Sequence, residues 1–300
     1  MKINKKNIFS SLILITSFIL IIYFIKKIDY EKFKLLFLNF NNNFFIASYL
    51  ICIIQTLLNI GKFNLILSNP VNKIKLSKIF FISSLLNFIL PLKLGELKKV
   101  HLLKKHFKID YLKSLEVIIV DKIFEISFYI FFSIFIFSFW KEIELLFVNL
   151  IIISCLVYLF FFKKIIFFLS KKNINLFEKI KNVLVKYTVN FNNLKRVVII
   201  NIFLLVLTFI HFKIFITFLN IEDFSIFNII SFVSLACLVG FIPVTYNGLG
   251  FREFFIVIIF GQLFTLEQIV LIGVFFISRT IPSAIIGLIF LVESFFKKVD

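Results

Sequence analysis

Long apolar runs recur along the whole chain, and they restrict what it can fold into. Apolar runs at 8–25, 44–60, 115–140, 145–162, 197–219 and 226–242 are separated by polar, mostly basic stretches. About 20 helical residues cross the hydrocarbon of a bilayer. Backbone amides can be satisfied there only inside helices or closed barrels. Hydrophobic residues make up 61% of the 300 positions, and mean hydropathy is +1.05. That excludes a water-soluble domain. The pattern predicts an all-α polytopic membrane protein: a single integral domain over 1–300, about eight transmembrane helices and one or two re-entrant segments.

The formal charge of +18 does not point to nucleic acid, and no such partner is expected. The basic residues flank the apolar runs, as cytoplasmic loops require. The stretch 163–196 holds nine basic residues and only Glu178, which makes it the largest cytoplasmic loop. Lys2, Lys5 and Lys6 precede the first run, and Lys26 and Lys27 follow it without a cleavage pattern. This predicts an uncleaved first span and cytoplasmic N- and C-termini. Cys52, Cys155 and Cys237 lie inside apolar runs with no metal-type spacing and read as small buried residues.

Two places break the apolar pattern in the same way. The stronger is Phe241-Ile242-Pro243-Val244-Thr245-Tyr246-Asn247-Gly248-Leu249-Gly250-Phe251-Arg252-Glu253. Pro243 ends a helix, Gly248 and Gly250 allow backbone closed to other residues, and an Arg–Glu pair enters the next apolar run. The weaker runs from Phe88 through Pro91 to Gly95 and Glu96. Glu96 precedes Lys122 by 26 positions (122 − 96), and Glu253 precedes Arg279 by 26 (279 − 253). The shared order predicts an internal repeat. The twelve apolar residues 79–90 reach only about 18 Å as a helix and read as a half-helix that enters and returns. Segment 254–279 fits either one crossing or a second hairpin.

Between the breaks, 92–113 reads as a basic amphipathic helix on the cytoplasmic face, with Leu94, Leu97, Val100, Leu102 and Leu103 as its apolar stripe. Gln55, Asn59 and His211 lie within spans, where helix–helix hydrogen bonds are the first expectation. Asp121, Lys122 and Glu125 sit near the end of a span, where ion pairing and function are both open.

No phosphate loop, metal cluster or nucleophile elbow is present. No catalytic residue, metal or cofactor is therefore expected. Two Pro/Gly-broken segments in corresponding places instead point to a transporter-like midplane site. Helix N-termini after the breaks, with Lys122 and Arg279, suit an anionic group such as a phosphate-bearing lipid headgroup. Glu96 and Glu253 would hold the cations when the site is empty.

Pro91-Leu92-Lys93-Leu94-Gly95-Glu96 with Asp121-Lys122 resembles the first signature of the lysylphosphatidylglycerol synthase transmembrane region, or flippase-like domain family. Phe241-Ile242-Pro243 through Gly248-Leu249-Gly250-Phe251-Arg252-Glu253, with Arg279 downstream, resembles the second. The resemblance covers nearly the whole chain. Lys122 stands where the family commonly has arginine, and Asn247 where glycine is usual. It implies an inner-membrane protein of bacteria that moves or supplies lipids. The site it implies comprises Pro91, Gly95, Glu96, Asp121, Lys122, Pro243, Asn247, Gly248, Gly250, Arg252, Glu253 and Arg279. The soluble lysyl-transferase domain of larger members has no counterpart here, so lysyl transfer is not expected of this chain. Three roles are open: a translocase for anionic or polyprenyl-phosphate-linked lipids, an accessory subunit of a partner glycosyl- or aminoacyl-transferase, and an intramembrane lipid-modifying enzyme.

Overall fold

The computed structural model describes residues 19, 22–24, 26–67, 71–90, 93–133, 191–219, 221, 225–241, 248 and 250–296. Among these residues there are ten helices and no strand. We number them α1 (Tyr30–Leu38), α2 (Asn42–Ile66), α3 (Lys73–Ile89), α4 (Leu94–Phe107), α5 (Tyr111–Ser133), α6 (Phe191–Phe218), α7 (Ile226–Phe241), α8 (Phe251–Phe260), α9 (Leu266–Ser278) and α10 (Ile281–Phe296). Most of the first expected span and all of the span at 145–162 lie outside the described residues, as do Cys155 and most of the basic loop.

The polarity of the helices is inverted relative to a soluble bundle. On α6, Ile199, Phe203, Val206 and Ile210 recur at helical spacing and are exposed, while Asn201, Thr208 and His211 are buried. On α2, Ile46, Leu50, Ile54 and Leu57 face outward, and Ser48, Gln55 and Lys62 face inward. Such a surface is stable only against lipid, where apolar faces cost nothing and polar groups must find partners inside. By length and composition, Asn42–Ile66, Lys195–Phe218 and Leu266–Ser294 can each cross a membrane. The last includes the joint between α9 and α10 at Arg279 and Thr280.

Local chemistry sets several helix starts. Asp29 accepts from the amides of Glu31 and Lys32 to open α1. Asn41 accepts from the Phe44 amide to open α2, and Asn72 accepts from Ile74 and Lys75 to open α3. Each side chain satisfies amides that have no partner in the first turn. The Asn72 cap starts α3 six residues before the half-helix read from sequence (79 − 73). At 17 residues it rises about 26 Å. Likewise α2 continues through Gly61 to Ile66, so Lys62, read as a loop lysine, is a core residue with 0% exposure.

Segment 254–279 is not one crossing helix. It forms α8 and α9, joined by a turn at 261–265 and packed on each other. Thr265 and Gln268 close a reciprocal capping box at the start of α9.

Of the stripe expected on α4, Val100 and Leu103 are buried and Leu97 is exposed. α4 packs on α3, which in turn packs on α10. Gly95 permits the close approach: a Cβ there would collide with the Ser83 carbonyl, and Ser83 Oγ donates to the Gly95 carbonyl at 2.7 Å.

Two apolar clusters form. One joins parts of α2 to α6 around Phe63, Phe80 and Phe124; the other joins α6 to α9 around Phe212, Phe232 and Phe275. Along α2 and α6, Gln55, Asn59 and Thr208 fall in the interval between them.

Candidate functional site

That interval holds a cavity of about 300 Å³. α2 supplies Gln55, Thr56 and Asn59; α5 supplies Lys122, Glu125 and Tyr129; and α7 supplies Gly240 and Phe241. The two breaks add Lys93 and Arg252, and the joint after α9 adds Arg279 and Thr280. A smaller pocket of about 70 Å³ shares Gln55, Glu125 and Arg279 with it and reaches Asn201 and Thr208. Four basic side chains and one carboxylate line the larger cavity, a net of three positive charges (4 − 1).

Each cation is held by a different device. The turn after α3 puts Lys93 at φ 53°, in the left-handed region. This directs its Nζ to the Gly240 carbonyl at 3.3 Å and over the Phe241 ring at 4.5 Å. Lys122 Nζ donates to Glu125 Oε2 at 2.7 Å, one turn along α5, and stands 5.4 Å from the same ring.

Arg252 is buried, with its guanidinium 4.4 Å over the Phe276 ring. It passes between two glycines: a Cβ on Gly240 or Gly248 would lie 2.8 or 2.9 Å from its Nη2. Gly248 and Gly250 have φ of 80° and 78°, so the loop entering α8 needs glycine there for its backbone as well.

Arg279 donates to Gln55 Oε1 at 3.0 Å and to Thr208 Oγ1 at 3.4 Å. Gln55 Nε2 donates to the same hydroxyl at 3.0 Å, and Thr208 passes its own proton to the Leu204 carbonyl. Arg279 is thus oriented by neutral partners, and its charge stays directed at the cavity.

The acids flagged by the sequence go elsewhere. Asp121 is turned away from the lining, to Lys62, with Nζ and Oδ1 2.8 Å apart. The contact is an ion pair outside hydrogen-bonding angles; Lys62 donates instead to Asn201 Oδ1 at 3.1 Å. Glu96 binds Lys99 at 2.8 Å and accepts from Asn87, tying α4 to α3. Glu253 is buried against Gly273 of α9. The carboxylate in the lining is Glu125, while Glu96 lies close enough to act electrostatically on Lys93 and Lys122, and Glu253 on Arg252. Pro91, Pro243 and Asn247 lie outside the described residues. His211 fills the expected helix–helix role, with Nε2 2.6 Å from Ser48 Oγ.

Lys122, Arg252 and Arg279, distant in sequence, thus meet at one cavity. Sequence reasoning did not select Lys93, Gly240, Phe241 or Phe276. Lys93 carried a usable signal, as a basic residue two positions after Pro91. The glycine and the two rings sit in apolar runs with nothing to mark them.

Taken together, the inverted helices and the cationic cavity between them define an all-α membrane protein with a polar site among its helices. The family model for the lysylphosphatidylglycerol synthase TM region matches residues 7–287, and the chain belongs to that family. No curated protein and no solved structure matches it.

Proposed function

We propose that this protein translocates lipids with anionic headgroups, phospholipid or polyprenyl-phosphate-linked, across a bacterial cytoplasmic membrane, with both termini in the cytoplasm. The observation that carries the reading is the cavity lined by Lys93, Lys122, Arg252 and Arg279 against Glu125 alone. Charge held in a medium of low dielectric is costly unless it is countered, and a phosphate supplies the counter-charge. Guanidinium groups suit phosphate because they donate in a planar fork. Family membership supports the same chemistry, since it places the chain among membrane proteins of lipid modification or translocation.

In this reading Glu125 neutralises Lys122 in the empty site, and an arriving headgroup competes for the lysine. Gly240 and Gly248 make room for Arg252. Gln55 and Thr208 aim Arg279. Gly95 and Glu96 fasten the first break to α3, and Glu253 fastens the second to α9. Asp121 serves the site indirectly by fixing α5 against α2.

The test is headgroup accessibility of fluorescent anionic lipids in liposomes containing the purified protein. The parent is expected to equilibrate the lipid between leaflets, and Arg279→Gln to lose this while still inserting and folding. Parent rates equal to those of empty liposomes for both lipid classes would overturn autonomous translocation and favour an accessory role beside a transferase.

A further inference from the structure

The four cations are not spread evenly around the cavity. They fall into two pairs, each gathered on one aromatic ring. Lys93 and Lys122 stand 4.5 and 5.4 Å from the Phe241 centroid. Arg252 and Arg279 stand 4.4 and 5.9 Å from the Phe276 centroid. Gly240 lies where the pairs meet: its carbonyl accepts from Lys93, and its α-carbon faces the Arg252 guanidinium.

We infer that the cavity is built for a lipid diphosphate, one phosphate facing the lysine pair and the other the arginine pair. The inference rests on the anionic-lipid reading above and narrows it. A phosphodiester headgroup carries about one negative charge, a monophosphate ester about two and a diphosphate ester roughly three at neutral pH. With four basic side chains in the lining, gathered two by two, the diphosphate is the ligand that offers each pair a phosphate of its own.

The experiment compares short-chain polyprenyl diphosphate, the matching monophosphate and inorganic diphosphate as competitors for a fluorescent anionic lipid on the full chain in detergent. The lipid diphosphate is expected to bind at least about tenfold more tightly than the monophosphate, the gain from one added set of charge-assisted contacts. Lys93→Gln, at a partly exposed position beside the break, is expected to remove that advantage, so that the diphosphate and the monophosphate bind alike.

Equal affinity for the two lipids would overturn the diphosphate inference and leave the anionic-lipid reading standing. Failure of both lipids to compete would overturn that reading and this inference together. Inorganic diphosphate as tight as its lipid would keep the two-anion site but refute a lipid as its occupant.

Discussion

The Lys62–Asp121 pair allows the sharpest separation of structural from lipid-handling residues. Asp121 stands beside Lys122 in sequence, yet faces Lys62 on α2, which is wholly enclosed at 0% exposure. Asp121→Asn removes the opposing charge and leaves Lys62 with the neutral Asn201 amide oxygen at 3.1 Å. Removing one partner of a buried pair costs about 3–5 kcal/mol, whereas replacing both with apolar groups is often neutral. The surviving Asn201 bond puts this case near the lower end, about 3 kcal/mol. For a chain of this size that lowers the unfolding midpoint by on the order of 10 °C. The assay is the thermal loss of helical circular dichroism in one fixed detergent, for the parent, for Asp121→Asn and for the double variant Lys62→Met, Asp121→Leu. The double variant is expected to recover most of the loss and to retain lipid translocation. A single variant as stable as the parent, or a double variant that folds but no longer moves lipid, would refute the structural assignment of Asp121.

Three further outcomes follow from the same geometry. Gly240→Ala places a methyl 2.8 Å from Arg252 Nη2 and is expected to weaken anionic-lipid binding about tenfold through loss of guanidinium aim, read by competition binding at unchanged thermal midpoint. Glu125→Gln removes the internal partner of Lys122 at 2.7 Å and should tighten anionic-lipid binding several-fold, since the headgroup no longer competes with a carboxylate; weaker binding would deny Glu125 that role. Gly95→Ala drives a Cβ into the Ser83 carbonyl and should cost roughly 1–3 kcal/mol by forcing α4 off α3, measured by thermal unfolding.

The class of fold and three of the four basic lining residues, Lys122, Arg252 and Arg279, were legible because both depend on composition and short-range order. Apolar runs report lipid exposure directly, and a Pro/Gly break followed by Arg252 or Glu96 is visible without any knowledge of packing. The partners of the acids were not legible. Asp121 and Glu125 lie one turn apart on α5, and what sends one to Lys62 and the other to Lys122 is the position of α2 beside them. That position was hidden because Lys62 lies beyond the apolar core of its run and resembles a loop lysine. Its burial depends on α2 continuing past Gly61, which Asp121 and Asn201 make tolerable by satisfying the ammonium. Similarly, Gln55 reads as helix–helix glue, and it is bonded to Thr208 of α6. That the same bond also steers Arg279 follows only from the α9–α10 joint arriving between α2 and α6. Gly240 gave no signal at all, because its role is the space it leaves for a side chain twelve residues later (252 − 240).

The central claim is that one cationic cavity receives an anionic headgroup, and site-mapped photocrosslinking tests it most directly. A lipid phosphate carrying a diazirine beside the headgroup would be irradiated with the protein in native membranes, and the adducts located by peptide mass spectrometry. The account predicts adducts on cavity-lining residues, Gln55, Tyr129, Phe241 and Phe276, that an excess of unlabelled anionic lipid suppresses and Arg279→Gln reduces. Adducts confined to outward-facing positions such as Ile199, Phe203 and Leu288, unchanged by competitor or variant, would contradict it.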